Sequence, residues 1–213
     1  MAVAELREAI VRGDLEPGEP IRQEETAREL GLSVIPVREA LKTLANEGVV
    51  TYRPQRGYAV AELHADGVDG IFRVRELLEG EAERIAVRRI GPDGIAEMRK
   101  ALEEQRLAAA ERDVVKVIRT NRRFHFVLFE RCDNPLLIRY VRQTWDSLDP
   151  HRAVAYRKAL SEGAGTDSDR IHQEHVQVVE ALESGDHDLA IRLLVGHRAG
   201  GQVVFHHLLQ NGA

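Results

Sequence analysis

Residues 23–61 read QEETARELGLSVIPVREALKTLANEGVVTYRPQRGYAVA, and the order of signals in this stretch decides the fold of the N-terminal part. Helical periodicity starts at about Gln23, runs to Leu30 and stops at Gly31. Ser33 then offers a hydroxyl to cap a second helix, Val34 to Glu47, which ends at Gly48. Pro36 is compatible with that helix because the first turn has no internal N–H bond to lose. Two β-type runs follow, Val49–Arg53 and Tyr58–Ala61, joined by Pro54-Gln55-Arg56-Gly57, and they read as a hairpin. Helix, glycine turn, helix and β-ribbon is the order of a winged helix-turn-helix.

Working outward, residues 5–12 form an amphipathic helix with Leu6, Ile10 and Val11 inward, stopped by Gly13, and Glu16-Pro17-Gly18-Glu19-Pro20 reads as a turn. From Val68 onward there are only helical stripes. Helices are expected over about 68–89, 93–111, 113–132, 135–146, 152–162, 168–184 and 186–209, with breaks at Gly91-Pro92, Asn134-Pro135, Asp149-Pro150, Gly163–Gly165 and Gly185. The expectation is a mainly α protein: a winged helix-turn-helix domain over 1–64, then an all-α antiparallel helical bundle over 65–213.

The 213 residues suffice for two cored domains, and 43% apolar with 31% charged residues describes a globular chain. No apolar run is long enough for a bilayer, and the charged N-terminus does not read as a signal peptide, so the expected location is the cytoplasm. Cys132 has no second thiol to pair with. The net charge is −5, and residues 1–64 hold eight Lys/Arg against eleven Asp/Glu. Any DNA binding must therefore rest on a few well-placed cations.

On the second helix Val37, Leu41 and Leu44 share one face, while Ile35, Arg38, Glu39 and Lys42 share the other. In a DNA reader, Arg38 would present its fork to guanine and Lys42 would meet a phosphate. Ser33 could bond a phosphate as well as cap the helix. Arg56 and Gly57 stand at the wing tip, where a cation beside a bare backbone can approach the duplex closely. The same face could equally be an ordinary solvated one.

The run PGEPIRQEETARELGLSVIPVREALKTLANEGVVTYRPQRGYAV resembles the DNA-binding domain of the GntR family, in its Pro-Gly, its Leu-Gly-Ser-type turn (here Leu30-Gly31-Leu32-Ser33), its Pro-Val-Arg-Glu-Ala-Leu and its Arg-Gly wing. The resemblance implies that Arg38 reads bases and that Arg56 and Gly57 contact DNA. It departs at Val34, where the family usually carries a basic residue directly after the turn serine.

Three of the nine histidines lie within apolar helical stripes: His125 with Ile118, Asn121 and Leu128; His175 with Ile171 and Val178; His197 with Leu193 and Leu194. His64, His151, His172, His187, His206 and His207 fall at loop-like or solvent-facing places. Each stripe histidine alone could be a hydrogen-bonded core residue. Three on helices that share one core could instead converge on a divalent metal, and Asn121, one turn before His125, would point its amide oxygen at the same spot. Arg75 falls on the apolar side of its helix and needs an anion, either Glu79 at i+4 or a bound ligand.

This second part resembles the FCD ligand-binding domain of the FadR subgroup of GntR regulators, through Arg75-Glu76-Leu77-Leu78-Glu79, Asn121-Arg122-Arg123-Phe124-His125, Asn134-Pro135-Leu136, Glu174-His175, and Gly185-Asp186 followed by His197. Metal-binding members ligate with an Asp, a His four residues on, and two further His. The resemblance implies a set Asn121, His125, His175 and His197, with Asn121 replacing the Asp. Zn²⁺ or Ni²⁺ suits an imidazole-rich set better than Ca²⁺. It also implies a small organic acid held by Arg75 and the metal, a homodimer on a palindromic duplex operator, and a non-enzymatic regulator, with repression relieved by ligand. Two rival readings use the same histidines: a helical metalloenzyme with a three-His water-activating site, and a purely structural metal.

Overall fold

The N-terminal elements follow from where apolar side chains can be buried together. In the computed structural model, which describes residues 1–62, 64–162 and 167–211, they are α1 (Ala2–Arg12), β1 (Pro20–Ile21), α2 (Gln23–Glu29), α3 (Val34–Asn46), β2 (Val50–Arg53) and β3 (Gly57–Val60). Leu6 and Ile10 of α1, Ala27 of α2, and Val37, Leu41 and Leu44 of α3 meet Ile21, Val50 and Val60 of the strands in one core. The amphipathic face read from α3 is the buried one.

The sheet is antiparallel in the order β1-β3-β2. The expected hairpin is present, with Val50 opposite Val60 and Arg53 opposite Gly57. Tyr52 and Tyr58 face each other across it, ring centroids 5.0 Å apart. At its tip the Arg56 N–H donates to the Arg53 carbonyl at 3.0 Å. Gln55 and Gly57 both take left-handed backbone, φ 65° and 78°. At Gly57 this conformation is free of the steric penalty that a Cβ brings. One strand was not expected: Pro20, read as the last residue of a turn, and Ile21 pair with β3, and Ile21 is buried there. Ser33 does sit at the N-cap of α3 with extended backbone, but its side chain makes no capping bond.

The remaining elements are helical: α4 (Ala65–Ala86), α5 (Pro92–Ala110), α6 (Val114–Phe129), a 3-10 turn Glu130–Cys132, α7 (Pro135–Glu162), α8 (Asp167–Glu183) and α9 (His187–Asn211). Asp113 caps α6 by accepting from the Lys116 N–H at 2.9 Å. The break expected at Asp149-Pro150 is absent, and α7 runs unbroken through Pro150. A proline removes one helix hydrogen bond, and a helix held along its length can absorb that loss. His151, expected to face solvent, is buried on this helix. The break expected at Gly163–Gly165 lies outside the described residues.

By its contacts the chain divides into two units, Met1–Leu63 with Gln143–Val154, and His64–Arg142 with Ala155–Ala213. The second unit buries Phe124, Phe129, Leu128, Met98 and Leu194. Among the described residues no helix is long and apolar enough to cross a membrane.

The N-terminal core is small, so it has little redundancy. Leu41, fully buried at its centre, is expected on replacement by alanine to lose about 2–5 kcal/mol of stability. Chemical denaturation followed by circular dichroism checks this, and a loss under about 1 kcal/mol would mean that the core closes over the gap.

Candidate DNA-reading helix and three-histidine centre

On α3, Ser33, Ile35, Arg38 and Lys42 all face outward, opposite the buried Val37, Leu41 and Leu44. Ile35 is 72% exposed on this face. The Arg38 Nε donates to Gln23 Oε1 at 3.1 Å, so the first residue of α2 orients the guanidinium. Gln23 lies fifteen positions away, and nothing in the spacing of either helix announced the pairing. Lys42 Nζ meets Glu39 at 2.8 Å in an exposed ion pair. Such a pair is worth little in water, so Lys42 can exchange Glu39 for a stronger anion. Arg56 is exposed beside Gly57 at the hairpin tip.

In the helical unit the three stripe histidines come together. His125 on α6, His175 on α8 and His197 on α9 turn their Nε2 atoms toward one point. His175 Nε2 lies 3.2 Å from His125 Nε2 and 3.3 Å from His197 Nε2. His175 is fully buried, His125 nearly so, and His197 is partly exposed. Phe124 stacks on His175 with centroids 4.2 Å apart, and Phe129 stacks on His125.

The outer nitrogens explain why the inner ones converge. His197 Nδ1 lies 2.7 Å from Glu174 Oε2, and a carboxylate can only accept there, so Nδ1 carries the hydrogen. His175 Nδ1 lies 3.3 Å from Gln105 Oε1, which likewise accepts. Both Nε2 atoms then present lone pairs to each other at 3.3 Å, which is repulsive unless a cation lies between them. Burial, with smaller contributions from His197 and His172, holds His175 well below its ordinary pKa, in the neutral form that ligates. Burial would raise Glu174, but the hydrogen bond from His197, with the charge and hydrogen bond of Arg170, outweighs it and holds the carboxyl below its ordinary pKa. The 3.2–3.3 Å separations match the edge of a tetrahedron around zinc, about 3.3–3.4 Å for Zn–N bonds of about 2.0–2.1 Å. The donor set fits a borderline divalent ion.

Asn121 is buried one turn before His125, and its Oδ1 accepts from Gln105 Nε2 at 3.3 Å. Gln105 therefore ties Asn121 to His175. Neither Gln105 nor Glu174 was singled out in the sequence as a partner of these rings. Gln105 carried only the weak signal of an amide within an apolar stripe, and Glu174 that of an acid beside a histidine.

Arg75 is buried, as its stripe required, and its Nε donates to Glu79 Oε1 at 2.6 Å. The i+4 partner is the one observed, and it belongs to a larger group. Arg198 on α9 bonds Glu79 at 3.0 Å and both oxygens of Glu83 at 2.5 and 2.6 Å, so two guanidinium and two carboxyl groups tie α4 to α9 away from water. Burial opposes the charge on Glu79, but Arg75 and Arg198 outweigh it and hold its pKa below the ordinary value. For Glu83 burial wins, raising it to about 7 although Arg198 lies on it.

A helix-turn-helix with a wing, followed by a helical unit enclosing a histidine cluster, is the architecture of a DNA-binding regulator with a second, helical domain. The comparisons agree: residues 1–60 match bacterial regulatory proteins of the gntR family, and residues 70–200 match the FCD domain. The chain belongs to the GntR family of bacterial regulators, in the group that carries an FCD domain. It is 31% identical over 146 residues, 68% of this chain and 66% of the relative, to the HTH-type transcriptional regulator McbR of Escherichia coli. It is 30% identical to the probable D-xylose utilization operon transcriptional repressor of Paenarthrobacter nicotinovorans, covering 89% of this chain and 80% of that one. The solved structure of E. coli McbR/YncC superposes with a TM-score of 0.80 at 25% identity, over 97% of this chain and 95% of that one. The family and these relatives are transcriptional regulators, not enzymes.

The raised Glu83 has a consequence for stability. The folded protein keeps a proton there between about pH 4.5 and 7 that the unfolded chain has released, so this group's contribution falls as pH rises through that window. Denaturation of wild type and Glu83→Gln at about pH 5 and about pH 8 should show the variant gaining on wild type at the higher pH. An equal difference at both would mean that Glu83 titrates normally.

Proposed function

We propose that this DNA-binding regulator reads a palindromic operator as a homodimer, and that its helical unit senses a small organic acid through a divalent metal. The observation that carries the DNA half is the outward face of α3, where Arg38, Ile35 and Lys42 stand clear of the core. Arg38 is the base reader, offering its fork to guanine, and Ile35 suits the methyl of thymine. Ser33 and Lys42 take phosphates, and Arg56 with Gly57 brings the wing against the duplex. One helix reads too few base pairs for selectivity in a genome, and a twofold pair on successive major grooves supplies the rest. The relative described as a repressor supports repression as the direction of control, and action on DNA places the protein in the cytoplasm.

In the helical unit His125, His175 and His197 would hold Zn²⁺ or Ni²⁺, and the ion supplies a Lewis-acid position for an oxygen ligand. Asn121, one turn before His125, would offer its amide oxygen as a further ligand. Gln105 and Glu174 fix the rings so that each Nε2 faces inward. Arg75 is the anion seat. An acid that takes its guanidinium displaces Glu79, which retains Arg198. Ligand can change DNA affinity only by favouring one arrangement of the dimer over another.

Two measurements test this. Arg38→Ala should weaken binding to the natural operator by about 10- to 100-fold, with an unchanged thermal melt. Operator affinity within about twofold of wild type would remove Arg38 from the reader role. Wild type should bind one zinc per chain by elemental analysis after dialysis, and His175→Ala should lose it. Equal zinc in both would refute the three-histidine centre.

A further inference from the structure

Most cations among residues 1–64 stand against a carboxylate. Arg7, Arg12, Arg22, Lys42 and Arg53 each lie 2.5–3.4 Å from one. Arg38, on the outward face of α3, does not. Among the described residues its side chain bonds only Gln23, whose Oε1 accepts from Nε at 3.1 Å. The neighbouring acid, Glu39, is turned instead to Lys42 at 2.8 Å. Arg38 is therefore held by a neutral amide and keeps its whole charge.

The place of that amide is built into the helix-turn-helix. Gln23 is the first residue of α2, and Thr26 and Ala27, one turn on, are buried. Ala27 shares an apolar cluster with Val37 and Leu41 of α3, so packing fixes the two helices and Gln23 meets Arg38 across them. A guanidinium has five N–H donors. While Gln23 holds Nε, a side-on approach through Nε and one Nη is closed, and the donors left lie on the two Nη atoms at the end of the side chain. In the major groove only guanine offers two acceptors, N7 and O6, on one base edge. Adenine sets a donor beside its acceptor, thymine a methyl, and cytosine offers a donor. An arginine free to turn can satisfy itself on a phosphate instead, which carries no sequence information.

We propose that Gln23 is a specificity-determining positioning residue: it fixes the plane of the Arg38 guanidinium without neutralising it, and so confines Arg38 to end-on recognition of guanine. The proposal rests on reading Arg38 as the base reader. It assigns the selectivity of that contact to a residue outside the reader helix, and it requires the partner of Arg38 to be an uncharged acceptor.

The test lets full-length wild type, Arg38→Ala, Gln23→Met and Gln23→Glu each select duplexes from a randomised pool. Affinities for the selected duplex and for a scrambled one are then measured by fluorescence anisotropy. The guanine that wild type enriches in each half-site and Arg38→Ala does not is the base of Arg38. Gln23→Met keeps the length and removes the acceptor. It should lower the preference for that guanine about tenfold, with scrambled-duplex affinity within about twofold of wild type and an unchanged thermal melt. Gln23→Glu keeps the acceptor and neutralises the cation. It should still select the guanine but bind the selected duplex about tenfold more weakly than wild type. A Gln23→Met protein whose guanine preference stays within about twofold of wild type would overturn the proposal, as would Gln23→Glu binding at wild-type affinity. An equal loss on both duplexes for Gln23→Met would make Gln23 a structural residue and overturn it too. Enrichment of the same bases by wild type and Arg38→Ala removes the reader role of Arg38 itself, and that result shows before any Gln23 variant is measured.

Discussion

Three imidazoles cannot share one buried volume with their lone pairs facing each other unless a proton or a cation stands between them. That constraint organises the helical unit. Glu174 and Gln105 hold the outer nitrogens of His197 and His175, which commits the inner ones to the centre. The three rings come from α6, α8 and α9, and Gln105 comes from α5, so a single point of polar chemistry joins four helices. Apolar stripes can slide past one another at small expense, whereas four side chains directed at one point set both register and rotation.

A second polar group does the same for α4. Arg75, Glu79, Glu83 and Arg198 are all buried, and buried charges survive only with their partners in place. Arg198 directly follows His197 on α9, so the ionic group and the histidine centre share one helix turn.

The DNA-reading unit is organised differently, around an apolar cluster drawn from α1, α2, α3 and the strands. Its deficit of positive charge and the valine at position 34 leave few cations on α3, so placement matters more than number. Gln23 is part of that placement, since its side-chain oxygen accepts from Arg38 Nε and orients the guanidinium. A guanidinium already oriented loses less freedom on binding than a free one.

Local sequence by itself determined α1, α2, α3 and the β2–β3 hairpin, because helix stops, the hairpin's turn residues and the period of the apolar residues are short-range signals. The buried and exposed faces of α3 and the stripes carrying His125, His175 and His197 were legible for the same reason. The two-residue strand at Pro20–Ile21 and the unbroken passage of α7 through Pro150 were not, because each depends on what packs alongside. The histidines could be named as candidates, but only the tertiary structure decided that their Nε2 atoms meet and that Gln105 and Glu174 orient them. It also decided that Arg75 answers to Glu79 within a four-residue group that includes Arg198, more than a hundred residues away. Period and propensity act over a few residues, whereas the partner of a buried polar group is chosen by the packing of helices remote in the chain.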